Sequence, residues 1–442
     1  MPKTALFWFR RDLRVEDNIG LYNAAKENDE VIPVFIFENK ILKTIKPDNP
    51  RFGFLVDALG NLDKQLLKLG SYLHIVRGDT IQELKKIIKE NKISAFYFNK
   101  AHSLASIKQE KEVEKICHQL NVEVRKYSDS LLVHIEKVPV RKVFTPFYRL
   151  WQKEVEKFKP LNVKKIISPK INKNQIEELI KDLKYRSNNY WPIRFPSKRV
   201  KDFEFCDYKD TRNFPYLDGS SKMSPYIRFG IISIRELYNY VLSLGCPDDT
   251  YISELAWREF WYHIIHHFPE CREIEFQQKR RGLNWENNQK YLEAWKEGRT
   301  GYPIVDAGMR QLKEEGWMHG RVRMIVASFL TKDLLIDWRF GDKHFYDYLV
   351  DYDENVDIGN WQWSASVGAD PKPLRIFNPI LQSQRFDPEC VYIKKYIPEL
   401  INEEIVKIHD PIKYKLHYHE PIVNHYEASY DAKDMYNKVS SK

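Results

Sequence analysis

Cysteine is scarce in this 442-residue sequence, and no apolar run is long enough to cross a bilayer. Its five cysteines, Cys117, Cys206, Cys246, Cys271 and Cys390, stand far apart and form no CxxC pair. That spacing argues against structural zinc and for free thiols in a reducing compartment, and no metal site is expected. A membrane-spanning helix needs about 18 consecutive apolar residues, and none exist here. Met1-Pro2-Lys3-Thr4 runs straight into a short apolar segment, which is not the pattern of a secretion signal. The expected location is cytoplasmic, or nuclear in a eukaryote. No GxGxxG fingerprint follows the first strand pattern; Phe9-Arg10-Arg11-Asp12-Leu13-Arg14 stands there instead. Internal repeats and low-complexity tracts are absent as well.

Basic residues and aromatic rings are what the chain has in plenty. Lys and Arg number 71 against 62 Asp and Glu, a net charge of +9. This balance favours a polyanionic partner, because phosphate contacts gain free energy from counterion release. Aromatics make up 14% of the chain, with 11 Trp and 26 Tyr. Such rings either pack a helical core, stack on bases or a flavin, or carry electrons.

The length exceeds one ordinary core, so two domains are expected. In residues 1–130, short apolar runs at Ala5–Phe9, Val31–Phe37, Tyr72–Val76, Ala95–Phe98 and Val122–Val124 alternate with amphipathic stretches such as Phe54–Leu69. Strand–helix alternation predicts an α/β domain with a doubly wound parallel sheet, its ligand at the carboxyl ends of the strands. Residues 131–200 are broken by Pro139, Pro146, Pro192 and Pro196 and are expected to connect the domains. Helix patterns dominate residues 201–425, including Ile234–Leu244, Tyr251–His267, Tyr302–Glu315 and Gly320–Asp337, so an all-α domain is expected there. Residues 426–442 are expected to be a frayed polar tail.

Two segments carry chemistry by pattern. Gly219-Ser220-Ser221-Lys222-Met223-Ser224-Pro225 opens a helix with small hydroxyl residues, either an ordinary N-cap or a seat for a pyrophosphate. Glu254, Trp257, Arg258 and Trp261 fall at i, i+3, i+4 and i+7, one helix face. That face suits either a salt-bridged core helix or a ligand.

Longer motifs settle the choice of family. Trp295–Arg310 (WKEGRTGYPIVDAGMR), Gly359–Ser366 (GNWQWSAS), Arg375–Pro379 (RIFNP) and the opening Phe9–Arg14 resemble the signatures of the DNA photolyase/cryptochrome family, in the right order over residues 4–402. The resemblance implies an N-terminal α/β antenna domain and a C-terminal all-α domain holding FAD, acting on UV-damaged DNA as a monomer. It places FAD against Tyr208, Ser220, Ser221, Lys222, Met223, Ser224, Tyr251, Arg323, Asp351, Tyr352, Asp353 and Asp357. It places the lesion against Glu254 and Trp257, with Arg212, Arg258, Trp261, Gly320, Arg321, Met324 and Gln382 lining or flanking it. Glu254 suits a hydrogen bond to a flipped base edge, Trp257 stacking and Arg258 a phosphate. Trp285, Trp338 and Trp361 match an electron-hopping chain that runs inward to the flavin.

What the family resemblance implies is light-driven electron transfer from reduced FAD to a cyclobutane pyrimidine dimer, as in class I photolyases. The alternatives are a cryptochrome-like blue-light receptor and a flavin electron carrier without DNA affinity. Two positions depart from the pattern. Asp357 stands where typical photolyases carry Asn facing flavin N5, as in plant cryptochromes, and a protonated Asp there can give its proton to the flavin. Gly320 stands where some dimer photolyases carry Asn, which removes one polar contact. In the loop Asn99–Lys108, Ala105-Ser106 replaces the Asn-Glu pair of folate-type relatives, which argues against methenyltetrahydrofolate as antenna. A second flavin, a deazaflavin or an empty antenna pocket are the readings left.

Overall fold

A computed structural model of the chain describes residues 2–43, 49–169, 190–193, 195–370 and 374–440. They form two compact units. The first comprises Met1–Lys137, Glu154–Phe203 and Lys222–Cys246, and the second Val138–Lys153, Glu204–Ser221 and Pro247–Lys442.

In the first unit five parallel strands form one sheet. They are β1 (Thr4–Trp8), β2 (Glu30–Glu38), β3 (His74–Gly78), β4 (Ala95–Asn99) and β5 (Glu123–Tyr127), ordered β3-β2-β1-β4-β5. The order reverses direction at β1 and β4, which is the doubly wound arrangement. Every residue of β1 and β4 is buried, as parallel strands covered on both faces require. Helices are cut cleanly by polar caps: Asn18, Asp79 and Ser103 each accept a backbone N–H at a helix start.

The Arg10–Arg14 signature builds structure in this unit. Arg14 donates to Asp129 at 2.8 Å, and Arg235 meets Asp129 at 2.9 Å and Asp17 at 2.8 Å, all buried. Gly230 passes so close to this turn that a Cβ there would lie 2.3 Å from the Arg11 carbonyl oxygen. Only glycine, free to hold its φ of +64°, fits.

The second unit is helical among its described residues. Its core gathers Trp295, Trp338 and Trp361 with Tyr302, Phe329, Leu330 and Tyr436. Four expectations need correction. The segment 138–153, expected to be connector, contributes the helix Phe144–Glu154, whose Phe144, Phe147 and Trp151 recur at helical spacing and are buried. The rest of the expected connector includes residues 170–189, outside the described residues. The expected polar tail forms the helix His425–Ser440 and buries Ala432 and Tyr436, because these apolar positions recur one helical turn apart. Gly320–Asp337 is not one helix: a regular helix Gly320–Ser328 widens into a π-helical turn at Phe329–Asp333. Cysteine spacing also misled, since Cys206 and Cys246 are disulfide-bonded. Cys117, Cys271 and Cys390 are free and buried. Partners distant in sequence leave no local signal.

Candidate active site

The 18-residue helix Thr250–His267 carries the residues that spacing placed on one face. Glu254 and Trp257 reach its partly exposed side. Arg212 holds Glu254 at 2.6 Å with both side chains about one-third exposed (30% and 34%). Trp257 lies flat on Phe144, with ring centroids 3.7 Å apart and planes 6° from parallel, and meets Phe260 edge-on. A broad ring is thereby fixed beside a carboxylate that keeps contact with solvent.

Two residues expected on this face turn away from it. Trp261 is buried, and a Cβ at Gly359 would lie 2.4 Å from its ring, so it packs the helix Glu354–Ser364 and offers no surface to DNA. Arg258 lays its guanidinium over Tyr262, 4.7 Å from the ring centre, and donates to the Tyr262 hydroxyl. Tyr262 in turn donates to Asp353 at 2.5 Å. Cation–π attraction and this buried acid hold Arg258 where a phosphate contact was expected. A perfect helical period cannot distinguish a face that meets solvent from one that meets a neighbouring helix.

Around Glu254 the surroundings are cationic. Arg321 bonds Asn213 at 2.6 Å, sits over Phe386 and reaches the Met324 sulfur at 3.7 Å. Burial, with Arg212 and Arg385 nearby, pushes its guanidinium down to about 10. Arg385 is a member that the sequence reading missed; nothing in its own motif singled it out. Gly320 begins the next helix, exposed, and a Cβ there would meet no atom within 4 Å. Gln382 lies partly buried on the helix Pro379–Phe386.

A second group lies at the start of the same long helix. The Tyr251 ring meets Phe205 and Tyr208 edge-on at 4.6 and 5.1 Å, and its hydroxyl lies 2.9 Å from that of Ser221. Ser220 is half-buried beside Ser221 in sequence. Lys222, Met223 and Ser224 follow in the first unit, where Lys222 takes a φ of +57°, Met223 is buried and Ser224 begins the short helix Ser224–Arg228.

A third group is acidic. Arg323 makes a two-point bond to the Asp351 carboxylate at 3.0 and 2.8 Å. Burial drives the Asp357 carboxyl well above the usual carboxylate range; Arg323 opposes the rise, and Asp351 and Asp342 add to it. Asp357 accepts the Asp353 backbone N–H at 2.7 Å, and Asp353 caps the helix Glu354–Ser364. Tyr352 donates to Asp342 at 3.1 Å. Burial pushes Asp342 up to about 7.

Trp338 and Trp361 are buried in one cluster, with Trp285 partly buried at its edge, against Tyr436. Trp361 touches Phe345 and Trp295, at 4.9 and 6.3 Å between ring centres. Its indole Nε1 is buried without a hydrogen-bond partner among the described residues. Trp295 was given no role of its own in the sequence reading although it opens the longest motif. A pocket open to solvent is lined by Met324, Ser328, Lys332, Trp363, Arg375 and Phe377, among others. Of these only Met324 had been singled out; Trp363, two residues past Trp361, was legible in the same motif. Among the described residues no group of three or more acidic, His or Cys side chains could hold a metal ion.

A doubly wound sheet unit and a helical unit with buried acids, an ion pair and a tryptophan cluster define a protein built to hold a large aromatic cofactor. The pattern of the FAD binding domain of DNA photolyase matches residues 251–438, and that of DNA photolyase matches 5–165. The deoxyribodipyrimidine photo-lyase of Alkalihalophilus pseudofirmus is 35% identical, over 95% of this chain and 94% of its own length. An archaeal photolyase from Sulfolobus tokodaii, described with two FAD molecules, superposes with a TM-score of 0.90 at 35% identity, covering 98% of this chain and 100% of its own. A bacterial class III photolyase from Agrobacterium tumefaciens gives 0.91 at 32% identity, covering 100% and 98%. The chain belongs to the DNA photolyase/cryptochrome family and is an FAD-dependent photolyase acting on DNA. No helix among the described residues is long and apolar enough to cross a membrane.

Proposed function

We propose that the chain repairs cyclobutane pyrimidine dimers, with Glu254 and Trp257 as the residues that meet the dimer. The observation that carries this reading is their pairing on one partly exposed helix face, the carboxylate held by Arg212 and the ring backed by Phe144. Glu254 suits a hydrogen bond to the base edge as charge develops on the dimer. Trp257 has an aromatic face to stack, and base stacking contributes about 1–3 kcal/mol. Arg212, Arg321 and Arg385 supply positive charge for phosphates. The buried acids and orphan Trp361 Nε1 fit FAD, with Tyr208, Ser220, Ser221, Tyr251, Arg323, Asp351, Tyr352, Asp353 and Asp357 as the residues of the helical unit that hold it. Reduced FAD, once excited by light, supplies the electron for this chemistry. Trp285, Trp338 and Trp361 form the route that replenishes it. A second flavin as antenna, at the carboxyl ends of β1, β2 and β4, is favoured by the likeness to the Sulfolobus protein, which carries two FAD molecules.

The test is light-dependent restoration of thymines in a dimer-containing oligonucleotide. Repair lost in Trp257→Ala and Glu254→Ala, with flavin retained, is the expected result. Full repair in both variants sinks the assignment of these residues. The rival reading, a blue-light receptor, draws on Asp357 and on the likeness to a Synechocystis cryptochrome; light-driven flavin reduction in a chain that ignores dimers is its signature.

A further inference from the structure

Lys332 and Asp333 are adjacent yet both buried, because the π-helical turn Phe329–Asp333 is wider than a regular helical turn. Such turns are rare and concentrate at functional sites. Asp333 pairs with His425 at the start of the last helix. Lys332 extends the other way. Its Nζ donates to the carbonyl oxygens of Ser364 and Arg375, each at 2.5 Å. Ser364, Arg375, Lys332 itself and Ser366, Gly368, Ala369 and Asp370 line the pocket beside Met324 and Trp363. Burying an ammonium is costly, and a methionine would fill the space without that cost. What methionine cannot do is bridge two carbonyls on separate strands of chain.

We propose that Lys332 is a positioning residue that ties the Ser364 and Arg375 backbones together and so shapes the wall that Ser366, Gly368, Ala369 and Asp370 give to the substrate pocket. The proposal rests on reading this side of the helical unit as the face that receives the dimer. Flavin-holding residues are not among its partners, so its loss acts on substrate binding and leaves the flavin in place. Beside the two tied carbonyls, Asp370 N–H donates to Lys142 O at 2.8 Å and Phe377 N–H donates to Ser328 Oγ at 3.2 Å. These two amides report on the clamp directly.

Hydrogen exchange read by mass spectrometry, beside binding of a dimer-containing oligonucleotide and the visible flavin spectrum, makes the test. In Lys332→Met, exchange at Asp370 and Phe377 is expected to quicken at least tenfold and binding to weaken at least tenfold, with the flavin spectrum unchanged. Lys332→Arg, which can reach both carbonyls, is expected to recover both. Unchanged exchange or unchanged binding in Lys332→Met overturns the clamp. Should Lys332→Met not fold, the parent chain decides: both amides protected before DNA is added supports the clamp, and exchange at unstructured rates until DNA arrives overturns it. A parent that ignores dimers defeats the dimer reading, while the exchange comparison still judges the clamp.

Discussion

The Arg14–Asp129 cluster of the sheet unit and the acids around Asp357 in the helical unit treat buried charge in opposite ways. In the sheet unit Arg14, Arg235, Asp17 and Asp129 form a closed network in which every charge meets an opposite one. Asp129 is accordingly held below the usual carboxylate range: burial opposes this, but Arg14 and Arg235 outweigh it. In the helical unit Asp357, Asp342 and Asp333 are pushed upward by burial that their partners do not offset. Lys332 is pushed down to about 7 for the same reason. Charges that only hold a fold together are paired; charges left uneasy are candidates for chemistry.

Breaking the paired network should have the largest effect. Asp129→Ala strands the buried Arg14 guanidinium and leaves Arg235 only Asp17, and is expected to cost about 3–5 kcal/mol, read from urea unfolding. A loss under about 1 kcal/mol would show that the network is incidental. Relieving an uneasy charge should do the reverse. Asp342 has a folded-state value near 7, above its ordinary 3.8, so its contribution is complete below pH 3.8 and is lost as pH rises through 7. Asp342→Asn, which still accepts from Tyr352, should therefore raise stability at pH 8 by about 2–4 kcal/mol and flatten the melting-temperature profile between pH 4 and 7. An unaltered profile would mean that Asp342 is no more strained than a surface acid.

Asp357 sharpens the contrast further, as an uneasy acid with a proton to give. Illuminating the protein under anaerobic conditions should develop the red absorption of a protonated flavin. Asp357→Asn should diminish that band at least tenfold, equivalent to about 1.4 kcal/mol; a parent without the band removes Asp357 from this role. The smallest effect belongs to Gly320, where space is open. Gly320→Asn is expected to strengthen binding of dimer-containing DNA by about 1 kcal/mol, roughly fivefold, in a titration at fixed salt. Equal or weaker binding would place the lesion elsewhere.

Much of the fold was legible because local patterns repeat. All five strands lie within two or three residues of their apolar runs, and the central β1, β2 and β4 were the plainest, since a parallel strand buried on both faces must be apolar throughout. Helix Thr250–His267 differs from its expected span by one residue. Within the site, the Arg323–Asp351 ion pair was implied by the family resemblance and is present, whereas the Arg212–Glu254 pairing could not be read from positions 42 residues apart. Trp261 and Arg258 shared a face with Glu254 on the helical wheel, and only packing against Gly359 and Tyr262 took them from it.

Residue order by itself determined the strands and helices, the charge balance and the family, because these depend on near neighbours and on long contiguous motifs. Tertiary structure alone decided which ring of a helix face meets solvent, which acid keeps its proton and which lysine bridges Ser364 to Arg375. Those properties arise from burial and from partners far apart in the chain, and no local pattern encodes a dielectric environment.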